Sequence, residues 1–333
     1  MAETQNEIPS IADHVQPIAA GAPVVAAHFL DDAAVFVLGE EALLFVDASG
    51  EKRVTAHAGG ILATASDGKR IVTGGDDGAV TATRRDGATA TVARDAKNRW
   101  IDQVAVGPGG VMAWSAGKTV FVQNPKGEQR TLDIVSSAGG LAFAPKGVRL
   151  AIAHYNGATL WFPNVQGKPE TLEWKGSHLG VVFSPDGKFL VTTMQEPMLH
   201  GWRLADQRHM RMTGYESRIR SMAWSARGEW LATGGSNQLI LWPFNSKDGP
   251  MGKSPKMLAP SANRAVTVAC HPAAPVVAVG YADGLVMLVR IEDGAEILAK
   301  KPGKAAVSAL AFSPDGKRMA FGTEDGEAGL LTL

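Results

Sequence analysis

The pentapeptide Phe-Ser-Pro-Asp-Gly stands at Phe183-Ser184-Pro185-Asp186-Gly187 and again at Phe312-Ser313-Pro314-Asp315-Gly316. Weaker copies precede and separate these two: Thr64 to Gly68, Val106-Gly107-Pro108-Gly109-Gly110, Phe143-Ala144-Pro145-Lys146-Gly147, Trp224 to Gly228, Cys270-His271-Pro272, and Phe29 with Asp31 and Asp32. The eight copies begin at 29, 64, 106, 143, 183, 224, 270 and 312, so the steps run from 35 to 46 residues. A period sustained along the whole chain means that one small unit is repeated, and the chain must fold as an array of it. No linker interrupts the series, so 333 residues read as one domain rather than the two their number alone would suggest.

Each copy sits between two short apolar runs, as in Val307 to Phe312 and then Arg318 to Gly322. Pro presets the backbone, Asp bonds to its own backbone and Gly tolerates the last corner, which is the chemistry of a tight turn. The flanking runs are therefore expected to be antiparallel strands, a and b. A second turn follows at Gly75-Asp76-Asp77-Gly78, Tyr155-Asn156-Gly157, Tyr281-Ala282-Asp283-Gly284 and Glu324-Asp325-Gly326, with strong hairpin signals. Beyond it lie strand c, seen in Thr159-Leu160-Trp161 and Leu239-Ile240-Leu241-Trp242, and a more polar strand d, as in Glu128 to Asp133 and Gln207 to Met212. Strands a to c read as apolar on both faces, which suits a sheet covered by a neighbour on either side. Helical periodicity is missing throughout, so helix content should be very low. A period of about 40 to 45 residues is that of a four-stranded propeller blade.

In the turn at Gly74 to Gly78, the Leu231-Ala232-Thr233-Gly234-Gly235 strand, the repeated Ser-Pro-Asp-Gly and the strand c tryptophans, the chain resembles the WD-repeat β-propeller family from about residue 11 to 333. Its repeats are degenerate, and their Gly- and Ala-rich composition suggests a bacterial member. No strand c ends in Trp-Asp, since Pro243, Arg203 and Phe162 follow Trp242, Trp202 and Trp161, and the Gly-His pair before strand a is missing. The resemblance implies that the hydrogen-bonded network these residues build inside each blade is incomplete here.

The expected fold is thus all-β: a single β-propeller of four-stranded antiparallel blades, eight in number, with seven as the alternative. The last unit supplies strands a and b and then Ala328 to Leu333 as strand c, while Ile11 to Ile18 belongs to no unit. The N-terminal strand is therefore expected to complete the last blade and close the ring, hiding edges that would pair with other chains. Residues 1–10, polar and acidic, are expected to be flexible, with residues 11–333 forming the propeller. The irregular stretch Asn245 to Pro255 reads as an exposed loop.

Charge narrows the function. Lys and Arg number 33, as do Asp and Glu, so the basic footprint of a nucleic-acid binder is missing. Neither a signal peptide nor a membrane span is visible, and a cytoplasmic monomer is expected. The one cysteine, Cys270, lies in a strand a and reads as a small hydrophobe. Gly117-Lys118-Thr119 and Gly252-Lys253-Ser254 lack the leading glycine of a phosphate loop, and Gly176 to Gly180 lacks the order of a nucleophile elbow. The eight histidines show no metal-ligand spacing. No cofactor and no catalytic residue are expected, and His28, His154, His178 and His200 read as core or channel residues.

Loops on a rigid scaffold are the usual place for recognition. The position six residues before each motif marks the lead-in to strand a, and holds Pro23, Ala58, Trp100, Ser137, Ser177, Arg218, Arg264 and Ala306. The family resemblance implies that this position contacts partners. Trp100, Arg218 and Arg264 stand out, because Trp and Arg dominate interface hot spots. Arg99, Tyr155, Trp174, Lys175, Tyr215 and Lys304 fall on loops of the same end. The expected function is a non-enzymatic scaffold binding a protein or peptide, acidic to suit this basic and aromatic face. The alternative is a small-ligand or metal-dependent site in the central channel. A second basic run, Arg203, Arg208, His209, Arg211, Arg218 and Arg220, is expected to be a solvated edge.

Overall fold

The Ser-Pro-Asp-Gly turns close through their own side chains. The hydroxyl of Ser184 donates to Asp186 Oδ1 at 2.6 Å and accepts from the Phe189 amide at 3.0 Å. Ser313 repeats both contacts with Asp315 and Arg318 at 2.6 and 3.0 Å. Gly187 and Gly316 take φ of 72° and 73°, the left-handed region where a side chain would be strained. The weaker copy at Ser225 keeps the essential parts: the Trp230 amide donates to its hydroxyl at 3.0 Å and Gly228 has φ 72°. One Ser and one Gly thus hold the a–b hairpin of unit six even though Pro and Asp are lost there.

In the computed structural model, which describes residues 8–333, the hairpins stack into an all-β propeller of antiparallel sheets in which chain neighbours are sheet neighbours. The first sheet runs Val24–Leu30, Ala33–Leu38, Ala42–Asp47, Gly50–Thr55. Of the described residues, helical turns take only the 3-10 segments Ala12–His14 and Pro108–Gly110, and no helix is long and apolar enough to cross a membrane. Strands b and c are buried on both faces, as Ala33–Leu38 and Phe189–Met194 show at every position. Outer strands such as Gly50–Thr55 and Gln129–Asp133 face water. Strand a departs from the expectation of two buried faces: Met222–Trp224 is only half-buried throughout and Val24–Leu30 is mixed. These strands line the inside of the ring, where no sheet covers them.

Eight separate blades were expected, and the hydrogen-bonded sheets number seven: six of four strands and one of six. The six-stranded sheet holds units four and five. Strand Glu170–Phe183 is the joint, pairing through Glu170↔Leu160 and Glu173↔Gly157 at one end and through Val181↔Thr192 and Phe183↔Leu190 at the other. The outer strand of unit four therefore passes, at Gly176 with φ 118°, into the inner strand of unit five without the loop that separates other units. Unit four is also continuous across its b–c turn, where Leu150–Trp161 bends at Asn156 and Gly157 with φ of 66° and 141°. The expectation of eight blades is therefore corrected to seven, the fourth and fifth sequence units sharing one sheet.

The last unit packs on the first. Ala309, Ala320, Ala328 and Leu330 share one buried cluster with Val24, Phe29 and Phe36, Ser308 Oγ donates to the Val24 carbonyl, and Arg318 reaches the Asp32 carbonyl at 2.6 Å. The N-terminal strand Val15–Ala19 is the outer strand of this last sheet, antiparallel to Glu327–Thr332 through Val15↔Leu331 and Ile18↔Ala328. Just before it, the Pro9 carbonyl and the Ile11 amide bond to Leu298 of unit seven at 2.8 and 2.9 Å. Of the segment expected to be flexible, residues 1–7 lie outside the described residues. The stretch expected to be an exposed loop, residues 245–255, is one, exposed at Asn245, Lys247 and Met251 to Ser254; only Gly249 and Pro250 are buried, beside Asp248, which accepts from Arg203 of unit five at 2.5 Å.

Deleting residues 1–20 strips a whole ladder from Glu327–Thr332 and both contacts to Leu298. The shortened protein is expected to melt earlier and over a broader range by circular dichroism; a melting curve identical to the full chain's would show these pairings to be dispensable.

Candidate functional site

The lead-in to each strand a carries its residues toward the inside of the ring, and four of the eight lead-in positions meet there. Pro23, Arg218, Arg264 and Ala306 line one cavity of about 760 Å³, with Arg220 beside them. Its walls are the half-buried inner strands, Val24 and Val25 of unit one, Ala265 to Thr267 of unit seven, and Val307 and Ser308 of unit eight. The serine hydroxyls among them are committed to the backbone. Ser221 accepts from the Val268 amide at 3.0 Å, Ser217 donates to the Gly235 carbonyl at 3.0 Å, and Ser308 bonds Val24.

The guanidiniums are not so committed. Arg218 donates to the neutral Gln195 side chain at 3.0 Å. The arginines found in ion pairs are Arg70, Arg85, Arg99, Arg149, Arg203, Arg208, Arg227 and Arg290, so Arg218, Arg220 and Arg264 have no carboxylate partner among the described residues. One carboxylate, Glu324, lines the cavity against these three cations. Guanidinium forks can bind carboxylates and phosphates in paired hydrogen bonds, and the three cations give the cavity an excess of positive charge. Arg218 and Arg220 also wall a second recess of about 380 Å³, otherwise formed by Leu179, Gly180, Val181, Val182, Thr193, Ile219 and Met222.

The other candidate residues are divided by the fold. Trp100 is 61% exposed and Tyr155 56%. They border units three and four with Val135, 73% exposed, which sequence reasoning missed because a lone valine in a loop carries no signal. The Ile134 amide bonds the Lys118 carbonyl at 2.9 Å and the Tyr155 amide bonds Ser136 Oγ at 3.0 Å, tying these loops together. Arg99 is engaged rather than free, paired with Asp95 at 2.7 Å, and Asp95 also accepts the amides of Lys97 and Arg99 at 3.0 and 2.9 Å. The Arg99 hydrogen bond holds the Asp95 carboxyl down to about 2. This staple fixes the loop that presents Trp100. Lys175 and Lys304 are exposed.

Trp174 and Tyr215 face inward, contrary to expectation. Trp174 is half-buried, its ring stacked on His200 at 4.1 Å with the Arg211 guanidinium 5.7 Å away. Tyr215 is buried: its hydroxyl accepts from Trp242 Nε1 at 2.6 Å and bonds Thr233 Oγ1 at 2.7 Å. Burial pushes the phenol up to about 12, so it stays a neutral hydrogen-bonding group. The internal network expected to be incomplete is thus rebuilt in unit six with Tyr in place of His. Unit two has it in another form, His57 bonding Thr73 at 2.8 Å and Asp77 at 3.0 Å. The pair Ala56-His57 hides this role, since no glycine precedes the histidine.

His154, His178 and His28 bond within or between the sheets. His154 bonds Thr159 at 2.9 Å, His178 bonds Thr192 at 2.7 Å, and His28, pushed down to about 4 by burial, bonds Thr64 at 3.0 Å. Among the described residues no group of three or more His, Cys, Asp or Glu is placed to hold a metal ion. The basic run of unit five divides: Arg203 pairs with Asp206 and Asp248, Arg208 approaches Asp248 at 3.5 Å and His209 bonds His200 at 3.1 Å, whereas Arg218 and Arg220 turn into the cavity.

Comparison with known proteins agrees with this architecture. The family described as "WD domain, G-beta repeat" matches residues 207–243 and 296–328. No curated protein matches the chain. Among solved structures, the computationally designed Ika8 protein superposes with a TM-score of 0.78 at 16% identity, covering 96% of this chain and 98% of its own, a likeness of fold alone.

Two outcomes follow from the side-chain geometry. Tyr215→Phe leaves the buried Trp242 N–H without its acceptor and is expected to cost about 1–3 kcal/mol, measured as a lower midpoint in denaturant; an unchanged midpoint would show the network to be idle. Asp95 has its carboxyl depressed in the folded state, so its stabilisation is complete above the ordinary Asp range and is lost as the pH falls through about 2. Asp95→Asn should remove it at neutral pH as well, making the 95–100 loop more open to proteolysis, and equal cleavage rates would count against the staple.

Proposed function

We propose that this chain, a member of the WD-repeat β-propeller family, is a non-enzymatic scaffold that holds an acidic segment of a partner protein at the loop-bearing end of its ring. The observation that carries this reading is the cavity in which Arg218, Arg220 and Arg264 lack carboxylate partners among the described residues and face a single Glu324. Guanidinium groups kept apart from counter-charges favour an anionic guest and draw it in before contact. Trp100 and Tyr155, exposed on the rim formed by units three and four, offer apolar contact area to the body of the same partner. Arg99 acts through the staple that positions Trp100, while Trp174 and Tyr215 serve the packing of the sheets. In this reading the protein works as a cytoplasmic monomer, and pairing of the N-terminal strand with the last sheet keeps the ring shut so that the cavity holds its shape.

The double substitution Arg218→Glu with Arg264→Glu reverses the charge of the cavity without touching a buried contact. It is expected to abolish capture of partners by the immobilised protein while leaving the melting temperature within a few degrees, and capture by the unaltered protein should weaken steeply as salt rises. Undiminished capture by the double variant would refute the assignment of this face.

A further inference from the structure

We infer that the partner segment is bipartite, carrying two neighbouring negative charges and, beside them, one apolar side chain. This rests on the proposed reading and narrows it. Three guanidiniums against one carboxylate leave the cavity with two positive charges to balance. A single carboxylate would satisfy one guanidinium fork and strand the others in a site whose serine hydroxyls are already bonded to backbone. Two adjacent acidic residues, or one doubly charged phosphoryl group, match the count.

The apolar requirement comes from the recess next door. Arg218 and Arg220 form a wall common to both spaces, so a group held by these arginines lies at the mouth of the recess. Away from that arginine wall the recess is apolar, formed by Leu179, Val181, Val182, Ile219 and Met222, and the Thr193 hydroxyl there accepts from the Gly180 amide at 2.8 Å. Its volume of about 380 Å³ is that of a small binding site rather than a packing defect. An aliphatic or aromatic side chain set against these five residues gains by leaving water, whereas an acidic one is held at the arginine wall. The two compartments together read charge on one side of Arg218 and Arg220 and hydrophobicity on the other, which an acidic tract alone would not exploit.

Selection of displayed short random peptides on the immobilised full-length protein tests this directly, with synthetic Glu-Glu-Leu and phosphoserine-Leu peptides as the two sources of the double charge. Enrichment of paired acidic residues next to an apolar one is the expected result, with a selected peptide losing about tenfold or more in affinity against Arg220→Glu, the size of a buried charge contact. Leu179→Asp, its fold checked by melting, should erase the apolar preference and keep the acidic one. Acidic enrichment with no apolar preference overturns the bipartite inference and leaves the acidic-partner reading standing. Enrichment without acidic residues, or none at all, overturns both, and selection on the unaltered protein decides even if a variant misfolds.

Discussion

A small sheet with two apolar faces cannot exist alone in water, and everything else in this protein follows from that. Strands such as Ala33–Leu38 and Phe189–Met194 are buried at every position because a neighbouring sheet lies on each side. A linear stack would leave its two end sheets with a bare face. Curving the stack until Ala309, Ala320 and Leu330 of the last sheet meet Val24 and Phe36 of the first removes both ends at once. The outermost strands need no such cover and are charged, and the innermost are half-covered because the ring has a hollow middle.

That hollow makes the candidate site. Inner strands expose part of their surface to a space no sheet can fill, and the loops leading into them deliver side chains to its rim. Arg218, Arg220 and Arg264 come from two of these lead-ins, distant in the chain and adjacent only because the ring brings units six to eight and one around a common cavity. Arg203, by contrast, lies on the outer side of its sheet and pairs with Asp206 and Asp248.

Much of the fold was legible because turn chemistry is local. Ser184, Asp186 and Gly187 bond to one another and to Phe189 within a few residues, so their pattern carries the hairpin with it. The merging of units four and five was not legible, since the continuous strand through Gly176 differs from a loop only in how its two halves find partners. Of the lead-in residues singled out, Arg218 and Arg264 share one cavity and Trp100 is exposed. The reading of Tyr215 as a loop aromatic failed, because its neighbours Thr233 and Trp242 lie 18 and 27 residues away and make it a buried acceptor. Trp174 failed for the same reason, its stacking partner His200 belonging to the next unit.

By itself the sequence determined the repeated hairpin, the antiparallel order of strands within a unit and the division between buried and watered strands, because each depends on contacts within a few residues or on the apolar pattern of a single strand. Which sheets fuse, which aromatics turn inward and which arginines share a cavity were decided only by the tertiary structure. Those outcomes depend on the distance between side chains in different units, and that distance exists only once the ring has closed.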